Sequence, residues 1–355
     1  MSNSDPYQFQ ERTHIELRAD TYTLPSPEMR KAMYEAEVGN DGFGEDPTVN
    51  KIENLTAELF NKESAVFVSS GIMGNFLSIL SHCQRGDQII IGNKSHINTN
   101  ELGGFATLGG VFPSIVENDY RGLLNLEQVK EEISPFPGSE NDVHVAQTKL
   151  IAIENTHNSC GGRALSTSDI NQIKQIASEN NIPIHLDGAR IFNAAIALEN
   201  TVEELTKDVD SIQFCLSKGL GAPVGSLVLG EKEFTQKVRK WRKTIGGTTR
   251  QAGILAAAGI VALNNYEESI NRDHDLAKYM HEKLSEIENI TPEPVETNLV
   301  FFNINTDNPG EISKKLKEKG INGGAETDRW RFVPHYGLTK ADIDYVAETL
   351  NGLLN

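Results

Sequence analysis

The stretch Leu216-Ser217-Lys218-Gly219-Leu220-Gly221-Ala222-Pro223-Val224-Gly225 joins two apolar runs, Ile212–Leu216 and Ser226–Leu229. A lysine that closes a buried strand and enters a glycine-rich turn is out of place for a residue type that is mostly exposed. It either has a partner or a task, or it lays its stem along the strand end and keeps its head in water. A dinucleotide-binding loop is a poor fit, because Pro223 and the strand-like run after it are wrong for a helix start. Working outward, five further runs precede these two: Ala65–Val68, Gln88–Ile91, Val111–Val116, Leu150–Ile153 and Ile184–Leu186. Several are continuously apolar, the pattern of strands buried on both faces. Helical patterns lie between them. Thr48 to Lys62 places Val49, Ile52, Leu55 and Leu59 on one face behind an Asp46 cap and Pro47. Ile170–Ala177 follows a Ser166-x-x-Asp169 cap. Strand–helix alternation at this pitch predicts an α/β fold, a mostly parallel seven-stranded sheet between helices.

Beyond about residue 252 the pattern changes. An alanine-rich helix, Ile254–Leu263, leads into Leu276–Ile287, a strand Leu299–Ile304, a helix near Ile312–Lys319 and a last helix capped by Thr339 and Asp342. The expected organisation is an N-terminal segment (1–30), a large domain (31–252) and a small C-terminal α+β domain (253–355).

Composition narrows the partners. Across 355 residues, 50 Asp+Glu outweigh 33 Lys+Arg, for a net charge of −17. Such a surface repels nucleic-acid phosphates and anionic lipid. The 3 cysteines, Cys83, Cys160 and Cys215, are scattered without disulfide or zinc spacing, which points to a reducing cytoplasm and no metal. The stretch Met1 to Thr13 is polar and has no signal-peptide core. No apolar run approaches the roughly 18–20 residues that span a bilayer.

Two more stretches carry chemistry. Ile184-His185-Leu186-Asp187-Gly188-Ala189-Arg190 puts an acid at the C-terminal end of a buried strand, where α/β proteins bind ligands. Asp187 could equally cap the next helix. Val66-Phe67-Val68-Ser69-Ser70-Gly71-Ile72-Met73-Gly74-Asn75 is a strand running into a helix start, whose free amides and dipole suit an anion. A phosphate cradle at Gly71 and Ile72, an acid at Asp187 and a lysine at Lys218 follow the order found in aminotransferase-like, fold-type I pyridoxal-phosphate enzymes.

The chain as a whole resembles the low-specificity threonine aldolases of the β-eliminating lyase superfamily. The resemblance runs from Leu17-Arg18-Ala19-Asp20-Thr21 through Pro27-Glu28-Met29-Arg30, Gly44-Glu45-Asp46-Pro47-Thr48-Val49-Asn50 and Glu154-Asn155-Thr156-His157-Asn158. It continues in Asp187-Gly188-Ala189-Arg190-Ile191-Phe192-Asn193-Ala194 and Trp241-Arg242-Lys243. It implies retro-aldol cleavage of threonine or a related β-hydroxy amino acid to glycine and an aldehyde. The cofactor, pyridoxal 5'-phosphate, would be a Schiff base on Lys218, with Asp187 keeping its pyridine nitrogen protonated. Carried over residue by residue, His96 would stack on the ring, and Arg190 and Arg331 would clamp the substrate carboxylate, Arg190 also contacting the cofactor. His144 would handle the β-hydroxyl. Lys243 and Arg250 would reach the phosphate of a neighbouring subunit, in a homo-oligomer built as a dimer of dimers. Elimination of a β-substituent, or a catalytically impaired cofactor-binding homologue, are the alternatives. The departures cluster on the substrate side: Ala19 replaces a serine, Ile72 a threonine and Phe43 a tyrosine. Asn98-Thr99-Asn100 replaces an aromatic stretch, and Thr248-Thr249 a Gly-Met pair.

Overall fold

Seven strands form the central sheet of the computed structural model, which describes residues 13–133 and 144–355. The first twelve residues of the expected N-terminal segment lie outside the described residues. In chain order the strands are β1 (Ser64–Val68), β2 (Gln88–Gly92), β3 (Phe112–Val116), β4 (Thr148–Glu154), β5 (Ile184–Asp187), β6 (Ser211–Cys215) and β7 (Ser226–Gly230). In space they run β1-β7-β6-β5-β4-β2-β3. Neighbours from β6 to β3 are parallel, and only β7 is antiparallel to its two partners. Because β1 and β6 are each antiparallel to β7, they point the same way. Six strands therefore present their C-terminal ends along one edge.

The apolar runs become strands because helices cover both sheet faces and leave no solvated side to alternate toward. Strand β3 differs: it is an edge strand, with Pro113 in it and Phe112 and Ile115 exposed. An edge tolerates proline since one row of its amides has no partner strand. The Lys218 turn connects β6 to the antiparallel β7. It needs Gly225, at φ 118, where a Cβ would come within 2.6 Å of the Phe67 ring.

Helix boundaries follow the caps. Asp46 accepts from the amides of Thr48 and Val49 to open Pro47–Leu59, and Ser166 and Asp169 form a reciprocal capping box for Thr167–Glu179. Thr339 and Asp342 do the same for Lys340–Leu354. The alanine-rich helix, Gly253–Asn264, packs into the core under the sheet, which takes in Ala256, Ala258, Ala262 and, further on, Ile270.

A second core gathers Leu17, Met280, Phe302, Trp330 and Phe332. It is built on an antiparallel sheet of Ile290–Pro292, Val300–Ile304 and Arg329–Phe332. Only the middle strand was expected from the sequence. The others are short, one ending in proline and one alternating arginine with aromatics, and they exist because Val300–Ile304 supplies a template. The helix expected at Leu276–Ile287 starts earlier, spanning Tyr266–Ser285, because its first turns are charged and hide the period. The N-terminal chain belongs here too: Ile15–Glu16 pairs in parallel with Ile321–Asn322. That pairing delivers Asp20 to the edge of the large sheet.

Candidate active site

The C-terminal edge of the large sheet collects most of the residues singled out above. Register places Glu154 beside Asp187 at the ends of β4 and β5, and Asp187 beside Gln213 in the middle of β6. Lys218 follows β6, His96 follows β2, and the helix Gly71–His82 starts just after β1.

Asp187 is buried and accepts from Gln213 Nε2 at 3.0 Å, from the Ala189 amide at 3.1 Å and from Asn75 Nδ2 at 2.9 Å. Burial pushes its carboxyl upward. The charge of Lys218, then that of His96, with the bonds from Gln213 and Asn75, outweigh burial and hold it below the usual carboxylate value. It is an ionised acid facing a lysine. The Ala189 bond is a local turn two residues on and caps no helix: the next one, Ile191–Ala197, opens at Arg190 without a side-chain cap.

His96 is tied down at both ends. Its amide donates to Glu154 Oε2 at 2.7 Å, and its ring Nδ1 lies 2.8 Å from Glu101 Oε1. The bond to Glu101 raises the imidazole, while burial raises the Glu101 carboxyl. The pair therefore keeps a proton between them to higher pH than either would alone. Asn75 Nδ2 donates to the same Glu101 oxygen at 2.8 Å, so one amide bridges Glu101 and Asp187.

A second charged group comes from the N-terminal segment. Asp20, fully buried, receives both Arg190 Nε and Nη2 at 2.7 Å and Asn298 Nδ2 at 3.2 Å. Burial would raise Asp20, but Arg190 and then Lys218 keep it far below the ordinary range. The Nε edge of Arg190 is thus spent on Asp20, and its remaining N–H groups are what it can offer a ligand. Arg331 stands close enough for the two guanidinium charges to act on each other. Burial, then Arg190, lowers its pKa. It donates from Nη1 to Asn158 Oδ1 at 2.7 Å and from Nη2 to the Arg18 carbonyl at 2.8 Å. Arg190 is paired with Asp20 while Arg331 bonds only neutral acceptors, which leaves a positive locus suited to a carboxylate.

At Gly71 a Cβ would lie 2.7 Å from Cys215 Sγ and 3.2 Å from Gln213 Oε1, so glycine here lets the helix end approach β6. Ser70 caps the Met73 amide, and the amides of Gly71 and Ile72 have no carbonyl one turn back to bond. They are free to meet an anion. Ile72 is half exposed, Phe43 is 79% exposed, and Lys243 and Arg250 are exposed, Arg250 beside Gly42. Asn98 bonds back to the Asn93 carbonyl, and Thr99 to that of Ser95.

His144 is not brought into this cluster within the chain. It is exposed in the turn before β4, at the opposite end of that strand from Glu154. A strand of 7 residues at about 3.3 Å per residue separates the two edges by roughly 20 Å. Asp142 and Val143, its motif partners, lie outside the described residues.

Asn75, Glu101, Gln213, Asp20 and Asn298 were not singled out from the sequence. Asn75 sits inside the quoted helix start, and its place one turn beyond Gly71 was the available signal. Nothing local marks Gln213 or Asn298.

Comparison with known proteins bears on this arrangement. The family model described as "Beta-eliminating lyase" matches residues 16–307. A low-specificity L-threonine aldolase 1 of Arabidopsis thaliana is 41% identical over 340 residues, 93% of this chain and 94% of the relative. A low specificity L-threonine aldolase of Escherichia coli (strain K12) is 39% identical over 333 residues, 94% and 97% of the two chains. A solved structure of a Leishmania major threonine aldolase superposes with a TM-score of 0.81 at 18% identity, covering 96% of this chain and 100% of that one. At that identity the superposition speaks for the fold.

Proposed function

The chain belongs to the β-eliminating lyase family, and on that premise we propose that it cleaves threonine, or a related β-hydroxy-α-amino acid, to glycine and an aldehyde with pyridoxal 5'-phosphate. The observation that carries this reading is the meeting of Lys218, ionised Asp187 and the Arg190–Arg331 pair at one sheet edge.

The donor set fits the cofactor. Lys218 would carry its aldehyde carbon, Asp187 its ring nitrogen and His96 one ring face, while the amides of Gly71 and Ile72 would take its phosphate. When bound, pyridoxal phosphate supplies a ring that accepts the electron pair of a bond broken at Cα. The protein's own residues do the rest. Arg331 and the free edge of Arg190 hold the substrate carboxylate and so orient the Cα–Cβ bond. Asp20 keeps Arg190 in place. A base takes the β-hydroxyl proton as the Cα–Cβ bond breaks; the electron pair stays at Cα, which then gains a proton to give glycine. Of His96 and His144, His96 is at the site within one chain, so a part for His144 requires that a second copy present it.

A homo-oligomer, with a dimer of dimers as the specific form, fits the exposed Lys243 and Arg250 and the exposed apolar side chains Tyr34, Phe43, Ile72 and Ile254. Sedimentation at micromolar concentration tests it, and a fully active monomer would contradict it. Among the described residues no helix is long and apolar enough to cross a membrane. Cytoplasmic residence fits the three cysteines Cys83, Cys160 and Cys215, all buried and none paired in a disulfide. Burial pushes the thiols of Cys83 and Cys160 up to about 12 and about 11.

The test is product analysis of purified protein with a panel of β-hydroxy amino acids. Glycine plus an aldehyde supports the proposal. Ammonia plus a 2-oxo acid would replace it with β-elimination, and no turnover would favour a cofactor-binding homologue.

A further inference from the structure

Behind Asp187 a run of polar side chains lies between the helix Gly71–His82 and one face of β5 and β6. Asn75, His185 and Ser211 are each 1% exposed or less, and no step above uses the last two. His185 Nε2 lies 3.1 Å from Asn75 Oδ1, His185 Nδ1 lies 2.9 Å from Ser211 Oγ, and His82 Nε2 lies 2.8 Å from the same hydroxyl. The direction of every bond follows from chemistry. Asn75 faces two carboxylates, Asp187 and Glu101, which accept, so its NH2 group points at them and its Oδ1 points at His185. That oxygen can only accept, so His185 carries its proton on Nε2. Its bare Nδ1 takes the Ser211 hydroxyl proton, and Ser211 Oγ in turn accepts from His82 Nε2–H.

We infer that Asn75 is a positioning residue shared by Asp187 and the His96–Glu101 pair, and that His185, Ser211 and His82 form a one-way chain holding its amide in the donating orientation. A flipped amide would set its oxygen against two carboxylates and a proton donor against His185 Nε2–H. Either contact strands buried polar groups, so the chain makes one orientation strongly preferred. Burial supports the neutral rings this needs, lowering His185 to about 3 and His82 to about 4. The charges that act on His185 are His82, which lowers it, and Asp187, which raises it.

The inference rests on the proposed role of Asp187, and the test separates the two. In cofactor-free protein labelled with nitrogen-15 in histidine, His185 is expected as the Nε2–H tautomer without titrating between pH 5 and pH 9. An Nδ1–H ring, or a midpoint inside that window, overturns the chain whatever the cofactor does. Borohydride trapping at Lys218 tests the cofactor reading by itself. In loaded protein, Asn75→Ala should lower kcat about 10- to 100-fold with little change in KM, and shift the visible band of the bound cofactor. His185→Leu should act alike, while His185→Gln, which keeps an N–H toward Asn75, should recover most of the loss. Adding His185→Leu to Asn75→Ala should cost nothing further. Independent, multiplying losses in the double variant would show that His185 does not act through Asn75.

Discussion

Replacing Asp187 by asparagine keeps the shape of the side chain and removes its charge. Its consequences can be worked from the three donors around it. One end of an asparagine at 187 can keep the bonds from Gln213 and the Ala189 amide, which both reach Oδ1. The other end becomes an NH2 group facing the NH2 of Asn75, where a 2.9 Å bond to Oδ2 now stands. Losing a bond to a charged acceptor costs about 1.5–3 kcal/mol, and Asn75 cannot flip to recover it without opposing His185 and Glu101. Loss of the charge would also remove the counter-ion proposed for a protonated ring nitrogen. Asp187→Asn should therefore fold and bind cofactor, yet turn over about 10²-fold more slowly, close to 3 kcal/mol of electrostatic stabilisation. Steady-state kinetics with aldehyde detection and the visible spectrum of the loaded protein measure both parts. Thermal unfolding adds a sign. Because the folded carboxyl lies below its reference of 3.8, its contribution is present above that value and is lost as pH falls through the folded value. The loss of Tm in Asp187→Asn should thus be larger at pH 7 than at pH 3. Turnover within threefold of the parent would show Asp187 to be a structural acceptor for its three donors and nothing more.

Lys218→Ala should abolish both the visible absorption of bound cofactor and borohydride trapping; cofactor still reducible onto the chain would reassign the attachment. Ala19→Ser and Ile72→Thr each add back a hydroxyl, and we expect the first to lower KM for threonine and the second to tighten cofactor retention, each by about tenfold. If neither quantity improves, the pocket has not drifted from threonine. Asp273, buried with Oδ2 unpartnered beside the Gly219 turn, is raised by burial to about 7 against a reference of 3.8, with Arg272 opposing. Between those values the folded state holds a proton that the unfolded chain does not, so stability falls as pH rises through that window. Asp273→Asn should raise Tm by a few degrees at pH 8 and change it little at pH 4, and the reverse order would refute the burial argument.

Much of this protein was readable from local pattern. Strand runs such as Ile212–Leu216 and Ser226–Leu229, caps such as Ser166 with Asp169, and Lys218 and Asp187 at strand ends all rest on interactions within a few residues. Periodicity, capping and turn chemistry report these directly. The small sheet was visible in one strand of its three, since Arg329–Phe332 becomes a strand only where Val300–Ile304 lies beside it.

The wiring of the site was not local, and only the tertiary structure decided it. Arg190 looked free for a substrate carboxylate until Asp20, 170 residues away in sequence, took one edge of its guanidinium. Asn75 meets Asp187 across 112 residues, and His144 was parted from the cluster because β4 runs the length of the sheet between them. A sequence states which groups a chain possesses and how each strand ends. Which buried donor meets which acceptor depends on how the strands are ordered in the sheet, because an unpaired buried charge is too costly to leave and the nearest partner in space satisfies it.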